Sequence, residues 1–393
     1  MSSEPLFSSL LVDTAQEHQA LRESVSRLVG RFGRRYYQEV VASGRQPTEL
    51  WRELGAAGFL GVHIPEAYGG GGGGLAELNI AIEETAAQGC PLLSMVINAI
   101  VAPIIAGVGS VELKREWLPG IASGTRRMSF AITEPNAGSN THRITTTARN
   151  HGDGYVLNGA KYWTSAIDQA DSVMVVARHG ELDTTTQRMP LSLFIVPTTA
   201  RGLSMHRIDA AVRTPEKQFS VFFDNVELGP QALVGLAGGG LRQVFMGLNP
   251  ERIAAAAINN GIARFAITRG ADYARTRTVW QSPIGAHQGV AHPLAESYIG
   301  VQTARLMTAR AAELCDTGAD AAEAANMAKY AAADASLKAL DQAIQIHGGN
   351  GYSYEYGISD LWFVARLHKT APVSREMILN FIAQHSLGLP KSY

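Results

Sequence analysis

Residues 130–140 read Phe130-Ala131-Ile132-Thr133-Glu134-Pro135-Asn136-Ala137-Gly138-Ser139-Asn140, and the interpretation of the whole chain depends on this stretch. Its first residues are mainly apolar, and Thr-Glu-Pro followed by Ala-Gly-Ser-Asn is, taken alone, the composition of an ordinary capped turn. The hydroxyl and backbone N–H groups of such a segment can also hydrogen-bond the polar edge of a ring system held in an apolar slot. Only the surrounding sequence can decide between a capped turn and a segment that binds a ring system.

The pattern of the chain changes on both sides of this stretch. From about Thr14 to Leu118, Ala, Leu, Glu and Arg recur at helical spacing. Between about Ser129 and Val234 there are short β-branched and aromatic runs: Tyr155-Val156-Leu157, Ser172 to Val176, Leu191 to Val196 and Ser220 to Phe223. Beyond Gly240 the helical period returns, with Met327, Tyr330, Leu337, Leu340 and Ile344 before a stop at His347-Gly348-Gly349. The predicted order is α, β, α.

Three local features carry their own predictions. Asn158-Gly159 predicts a two-residue hairpin turn between Tyr155-Val156-Leu157 and Lys161-Tyr162-Trp163. The run Gly69 to Gly74 is typical of a flexible surface connection; it satisfies GxGxxG but lacks the βαβ context of a dinucleotide fingerprint. The apolar stretch Leu92 to Val111 is interrupted by Asn98, Pro103 and two glycines, which favours a buried helix over a membrane span.

Bulk composition excludes several classes of protein. The 393 residues, 46% of them hydrophobic, suggest two or three domains with a large core. With 34 Lys+Arg against 35 Asp+Glu the net charge is -1, so we expect neither nucleic acid nor membrane insertion. The two cysteines, Cys90 and Cys315, have no metal-ligand or disulfide spacing, and no metal is expected. The acidic start, Glu4, Asp13 and Glu17, lacks a signal-peptide pattern, which favours a cytoplasmic location.

With its neighbours, the 130–140 stretch resembles the T-E-P-x-A-G-S signature of the acyl-CoA dehydrogenases. The similarity continues in the same order through Asn158 to Ser165, Asp224 to Leu228, Arg275-Thr276-Arg277, Gln288 and Gln345 to Tyr352. This resemblance implies an α+β fold: an N-terminal all-α domain (1–127), a central β-barrel or sandwich domain (128–236) and a C-terminal four-helix bundle (237–393). It also implies FAD as cofactor, an acyl-CoA substrate, an electron-transferring flavoprotein as partner, and a homotetramer or homodimer.

The resemblance assigns cofactor contacts residue by residue. Those on the flavin side are Phe130, Ile132, Thr133, Gly138, Ser139, Trp163 and Ser165. Arg277 reaches a neighbouring subunit's FAD, and Trp280 and Gln288 match accompanying contacts on its adenine and flavin sides. The turn with Gln345, Ile346, Gly348 and Gly349 lets the backbone approach the partner subunit's dinucleotide. Alone, a strand tryptophan is more often core and a lone arginine is more often a solvated surface residue. A permanent cation with several donors is nevertheless what a pyrophosphate requires.

The catalytic base is where this chain departs from many relatives. Removing a proton next to a thioester carbonyl requires a carboxylate in a dry pocket. The position of the usual base, the glutamate of Y-E-G-T, falls in Ala371-Pro372-Val373-Ser374, and proline cannot take a proton. Ser374 and Glu376 then match cofactor-contact positions. A second branch, with isovaleryl-CoA and long-chain enzymes, carries the base one residue before a helical arginine, which matches Glu251-Arg252.

Glu251 also has a purely structural explanation. Pro250 suits a helix start, so Glu251 is also explained as a first-turn acid stabilised by the helix dipole.

The resemblance also assigns substrate-side residues and a function. Ser139, Asn249 and Arg252 match substrate-side positions, although Asn249 replaces a commoner aspartate. The function then expected is α,β-dehydrogenation of an acyl-CoA. A same-fold acyl-CoA oxidase or flavin monooxygenase, and a catalytically silent acyl-CoA-binding subunit, are the competing functions.

Overall fold

A computed structural model describes residue 7 and residues 15–182 and 189–391 of the chain. Glu4 and Asp13, used above, lie outside these residues. The N-terminal part is helical, with α1 (Gln16–Gly30), α2 (Gly33–Ala42), α3 (Thr48–Ala56), α4 (Leu75–Ala87), α5 (Leu93–Val108) and α6 (Val111–Ser123). Helix α5 is the buried apolar helix that the sequence predicts, and it ends at Val108, just before Gly109. None of the described helices is long and apolar enough to cross a bilayer.

The middle of the chain forms one eight-stranded sheet. Its strands are β1 (Met128–Ala131), β2 (Thr147–His151), β3 (Gly154–Ser165), β4 (Ser172–Arg178), β5 (Leu191–Pro197), β6 (Leu203–Ile208), β7 (Gln218–Leu228) and β8 (Leu233–Val234). The order is β6-β7-β3-β2-β4-β5-β8, and β1 pairs in parallel with β4, Phe130 opposite Met174. Strands β4 and β5 are almost entirely buried, as continuous apolar runs require.

The C-terminal part returns to helices. It comprises α7 (Gly240–Thr276), the short strands β9 (Thr278–Val279) and β10 (Ser282–Pro283), then α8 (Gln288–Asp316), α9 (Ala322–His347), α10 (Trp362–Leu367) and α11 (Arg375–Phe381). Helix α9 ends at His347, as predicted, and Gly348 follows with a positive φ of 58°. Helix α7 is the centre of this part, because α4, α5, α8 and α9 all pack against it. The α+β fold class is confirmed.

The hairpin predicted at Asn158-Gly159 is wrong. Strand β3 runs without a turn from Gly154 to Ser165, and the register of its pairing with β7 shifts between Leu157 and Gly159. The side chain of Asn158 bonds Asn225 on β7 instead, through Oδ1 to the backbone N–H at 2.9 Å. Asn-Gly therefore marks a bulge, and the real turn, between β2 and β3, contains Gly152.

The glycine run is not a flexible connection either. Backbone N–H groups of Gly70, Gly71, Gly72 and Gly73 donate to the carbonyls of Pro65, Gly61, Ile64 and Val62 at 2.9–3.3 Å. A Cβ built on Gly70 would lie 2.0 Å from the carbonyl oxygen of Ile64. The run is low in complexity because only glycine lets two backbone segments approach this closely.

Candidate active site

The 130–146 segment is held in place by a buried ion pair. Nζ of Lys161, in the middle of β3, lies 2.9 Å from Oε1 of Glu134 and also donates to the carbonyl of Ile132 at 3.0 Å. Glu134 accepts four more hydrogen bonds, from the backbone and hydroxyls of Thr145 and Thr146, at 2.6–3.0 Å. The glutamate of the signature thus closes the loop instead of facing a ligand.

Electrostatics support that structural role. Burial raises the pKa of Glu134, but the charge of Lys161 and the threonine hydrogen bonds outweigh it and lower the pKa to about 2. Burial lowers the pKa of Lys161 to about 8, against the opposing effect of Glu134. Both groups are charged at neutral pH, so the loop is fixed by a paired, hydrogen-bonded carboxylate.

Trp163 is turned out of the sheet by a second irregularity. The pairing of β3 with β7 shifts again between Lys161 and Thr164, and Trp163 has a φ of 58°. A left-handed backbone at a bulky residue is uncommon and costs free energy, of the order of 1–3 kcal/mol. The indole is 47% exposed although it stands on a central strand. An aromatic side chain is thus exposed directly after Tyr162, whose N–H bonds the carbonyl of Thr133.

The polar residues around Trp163 are placed differently from one another. The hydroxyl of Ser165 donates to Oε1 of Gln218 at 2.9 Å. Its oxygen can still accept a hydrogen bond from a ligand, but the hydroxyl can donate to a ligand only if Gln218 moves. The carbonyl of Thr133 accepts from the N–H of Tyr162 at 2.9 Å, which ties the end of β1 to β3. Gly138 and Ser139 are exposed, and a Cβ on Gly138 would meet nothing within 4 Å.

One apolar cluster joins this segment to α7. Phe130 and Ile132 pack against a core that also takes in Ile97 and Ile100 of α5, and Leu248 of α7 packs against the same core. Leu248 precedes Glu251 by three residues, less than one helical turn. The structure therefore brings the flavin-side residues and the predicted base to neighbouring parts of the molecule.

Pro250 does not begin a helix, contrary to the sequence prediction. Helix α7 begins at Gly240 and contains Pro250 in its interior. The proline removes one intrahelical hydrogen bond, and packing against α5 and α9 keeps the helix continuous. Glu251 lies beyond the first helical turn, where the dipole contribution has fallen off. The first-turn explanation for an acid at this position is therefore wrong.

Glu251 has the electrostatic character of a general base. It keeps a small accessible surface, but burial raises its pKa to about 7, while the charges of Arg252 and Lys329 oppose that rise. A base works best when its pKa is close to the working pH. Arg252 donates to Oδ1 of Asn249 at 2.6 Å, so Asn249 orients the arginine next to Glu251.

The segment 371–376 lies beside this group. Nζ of Lys329, on α9, donates to the carbonyl of Val373 at 2.5 Å. Ser374 caps α11 by accepting from the N–H of Met377 at 3.3 Å, while Glu376 is exposed. Of these residues, the sequence identified Ser374 and Glu376 but missed Lys329. The only signal was a lysine on an alanine-rich helix, Met327-Ala328-Lys329-Tyr330, which would ordinarily be placed on a solvated face.

The residues assigned to a neighbouring subunit's cofactor form a separate group. Arg277, Trp280 and Gln288 are exposed around β9 and β10, and Trp280 is 87% exposed. At the end of α9, Gln345, Gly348 and Gly349 are exposed and Ile346 is half-buried. The ring of Tyr273, one turn before Arg277, stacks on His347 with centroids 4.2 Å apart, which joins the two ends. A Cβ on either glycine would meet nothing within 4 Å.

The two groups are far apart within one chain. At about 1.5 Å per residue, the helix from Glu251 to Thr276 is about 38 Å long. Arg277 therefore cannot contact a molecule that is already positioned at Glu251 of the same chain, unless that molecule spans this length. Among the residues that the structure describes, no group of three or more His, Cys, Asp or Glu residues could hold a metal ion.

Three family profiles match consecutive parts of the chain. They are described as the N-terminal domain (residues 15–125), the middle domain (129–226) and the C-terminal domain (238–387) of acyl-CoA dehydrogenase. Together they cover most of the 393 residues, including every part of the site described above.

Individual proteins give the same result. Acyl-CoA dehydrogenase FadE12 of Mycobacterium tuberculosis is 53% identical over 382 residues, covering 96% of this chain and 98% of its own. The structure of a glutaryl-coenzyme A dehydrogenase with glutaryl-CoA matches with a TM-score of 0.89 at 29% identity, over 97% of both chains. A chain from the electron transferring flavoprotein study of Acidaminococcus fermentans matches with a TM-score of 0.89 at 26% identity, over 95% and 99% of the two chains.

Proposed function

The chain belongs to the acyl-CoA dehydrogenase family and is an FAD-dependent oxidoreductase, and from this premise we propose that it oxidises an acyl-CoA thioester to the trans-2-enoyl-CoA with Glu251 as the base. The observation that carries the proposal is the burial of Glu251, which raises the pKa of its carboxyl group to about 7, a value that suits proton abstraction at neutral pH. The position of the alternative base is taken by Pro372, which has no group that could accept a proton.

The residues present fit FAD. Trp163 is an exposed aromatic side chain at a strained backbone position, and the 130–139 segment supplies the hydroxyls of Thr133 and Ser139 and open space at Gly138. We assign the flavin to this surface, together with Phe130, Ile132 and Ser165. A flavin is a large apolar ring system with a polar edge, and such a molecule needs this combination of apolar contact and few hydrogen bonds.

The chemistry divides between the chain and its cofactor. Glu251 takes the proton from the α-carbon, and its carboxylate becomes a neutral carboxylic acid. Bound FAD supplies the acceptor for the hydride that leaves the β-carbon. Arg252 stays charged beside Glu251, held by Asn249, and we assign both to the entry side of the CoA thioester along with Ser139. The substrate's two hydrogens are thus accounted for, one as a proton on Glu251 and one as a hydride.

We further propose that FAD is held between two subunits. Glu251 and Arg277 are separated by about 38 Å of helix, so the same chain's Arg277 would not reach an FAD held beside Glu251. Arg277 is exposed, and it makes no ion pair with the residues that the structure describes. A partner's Arg277, Trp280, Gln288, Gln345, Ile346, Gly348 and Gly349 would complete each site in a homodimer or homotetramer.

Three further assignments rest on the family. Ser374 and Glu376 are placed at the cofactor side of the segment that follows Pro372. The division into domains 1–127, 128–236 and 237–393 is proposed on the change from helices to sheet and back. An electron-transferring flavoprotein is proposed as electron acceptor, in keeping with the solved neighbour from the study of such a protein. Oxygen consumption on substrate addition would instead identify an acyl-CoA oxidase.

The decisive experiment replaces Glu251 by glutamine, which keeps the shape and removes the basicity. We expect Glu251→Gln to bind FAD and acyl-CoA but to reduce its flavin about 10²–10⁴-fold more slowly when mixed rapidly with substrate. Glu313→Gln, an exposed acid on α8, is the matched control and should react like the wild type. Flavin reduction at the normal rate in Glu251→Gln would place the base elsewhere.

A further inference from the structure

Lys329 is a buried lysine on the helix that packs against the proposed base. Its side chain is only 1% exposed, and α9 makes its most extensive packing contact with α7, the helix of Glu251. Its Nζ donates to the carbonyl of Val373 at 2.5 Å. Taking an ammonium group out of water costs several kcal/mol, which one neutral carbonyl does not offset. The charge therefore requires an explanation besides the hydrogen bond.

The charged groups that act on Lys329 belong to several helices. Helix α7 contributes Glu251 and Arg252, helix α11 contributes Glu376, and Asp334 lies on α9 itself. His368, buried just after α10, also feels the charge of Lys329, and its pKa is lowered to about 3, first by burial and then by that charge. Burial and Arg252 lower the pKa of Lys329 to about 8, and Glu251, Glu376 and Asp334 oppose this. The lysine is therefore mainly cationic at pH 7.

Two roles are consistent with this placement. Lys329 could serve only as a tether that holds Val373, and with it the 371–374 segment, against α9. A carbonyl acceptor, however, needs only a donor, and an uncharged amide would serve it at a lower desolvation cost. A cation is needed only if its field acts on another group. Glu251 is the partly buried carboxylate whose pKa Lys329 lowers, from the helix packed directly against it.

On the basis of the proposed function, we propose that Lys329 is a positioning residue for the base, with its charge keeping the Glu251 carboxylate ionised before substrate reacts and its Nζ fixing the neighbouring 371–374 segment. Lys329 neither gives up nor takes a proton in the reaction. When Glu251 accepts the α-proton it becomes neutral, and the ammonium of Lys329 stays as it was. The role is thus electrostatic, and it shows itself in the pH dependence of proton removal.

The test separates the charge from the tether with three variants. Lys329→Gln removes the charge and keeps a donor for the Val373 carbonyl, Lys329→Met removes both, and Lys329→Arg keeps both. Lys338→Met, on the exposed side of α9, is the matched control. The rate of flavin reduction by a saturating acyl-CoA is measured in single turnover from pH 5.5 to 9 with each FAD-loaded protein, after flavin absorbance has established loading.

We expect the ionisation midpoint of the wild-type rate to rise by about half a pH unit or more in Lys329→Gln and Lys329→Met, because a nearby cation no longer favours the carboxylate. At pH values well below the midpoint the rate then falls about threefold or more, while the rate at high pH is retained. Lys329→Arg and Lys338→Met should keep the wild-type midpoint. Two neutral variants are included so that poor folding of one does not remove the measurement.

An unmoved midpoint with a uniformly lower rate would show a tether only and would overturn the inference. The result for Glu251→Gln separates this failure from that of the proposed function. If Glu251→Gln is slow and the Lys329 midpoints are unmoved, only the role of Lys329 is refuted. If Glu251→Gln reacts normally, the base lies elsewhere, and both proposals fail.

Discussion

Glu251 is costly to the folded protein for the same reason that it suits catalysis. Its folded pKa, about 7, lies above the unfolded value of 4.5, so between these pH values the folded state binds the proton more tightly. Stability therefore falls as the pH rises from 4.5 to 7, and then stays lower. The full difference corresponds to about 3 kcal/mol as an upper limit, since residual solvent access screens the charge.

We accordingly expect Glu251→Gln to be more stable than the wild type at pH 8, by about 1–3 kcal/mol, and equally stable at pH 4.5. The measurement is chemical denaturation of the two proteins at both pH values. A gain that is the same at both pH values would mean that the glutamate is destabilising for a reason other than its charge.

Single residues could be predicted from the sequence only where a local motif identifies them. Glu251 was proposed as the base because it precedes an arginine in a recognisable pattern, and Pro372 was singled out because it stands where a base is usual. Lys161 and Lys329 were missed, since each acquires its role from a residue distant in sequence, Glu134 in one case and Val373 in the other. A lysine in a strand or helix gives no local sign that it will be buried.

At the level of elements, a buried ionic cluster joins four helices. Glu83 and Glu84 of α4 face Arg22 of α1, Arg264 of α7 and Arg305 of α8 at 2.5–3.3 Å. Burial raises the pKa of Glu83, but the three arginines outweigh it and hold the pKa well below its usual range. The cluster links the N-terminal helices to the C-terminal ones through charge rather than through apolar contact alone.

Removing one acid from this cluster should be severe. We expect Glu83→Gln to lose about 3–5 kcal/mol of unfolding free energy, because the buried guanidinium group of Arg305 then loses its carboxylate partner, while Arg22 and Arg264 keep only Glu84. Thermal or denaturant unfolding of the FAD-loaded protein measures the loss. Glu39→Gln removes an exposed ion pair with Arg35 and should change stability by at most about 0.5 kcal/mol. A similarly small effect of Glu83→Gln would show that the cluster is not important for stability.

Elements were predicted well by periodicity and poorly by turn signals. The apolar runs of β4 and β5 and the end of α9 were correct, because burial imposes the pattern directly. Asn158-Gly159 and Pro250 misled, since a bulge uses the same left-handed glycine as a hairpin and a long packed helix tolerates a proline. Local signals of this kind do not distinguish an irregularity inside a helix or strand from the end of that element.

The described part of the molecule is organised around α7, which has the proposed base about three turns from its start and Arg277 just beyond its end. Periodicity predicted the α, β, α order, and the family resemblance predicted the division into domains, but neither predicted the length of this helix. That length makes a one-chain site and a two-chain site physically distinguishable. The difference can be tested without a structure of the assembly.

Subunit mixing provides the test. In an oligomer assembled from Arg277→Ala and Glu251→Gln chains, one kind of site combines an intact Glu251 with the partner subunit's Arg277, so we expect activity to be partly regained over either variant alone. Coexpression with two affinity tags isolates the mixed species for assay at limiting FAD. Arg275→Ala, whose side chain pairs with Asp272, replaces Arg277→Ala in the control. No recovery in the mixed species would mean that Arg277 acts within its own chain.

The packed glycine run restricts how this gene can vary. Tracts of repeated residues commonly change in number when the copying of repetitive DNA slips, and a loose linker absorbs such changes without effect. Here each of four consecutive N–H groups has its own carbonyl partner between Gly61 and Pro65. One inserted or deleted glycine would shift every later donor by a position against fixed acceptors and displace the start of α4. The number of glycines in this tract is therefore fixed by its backbone hydrogen bonds, although the sequence alone suggests that the tract could vary in length.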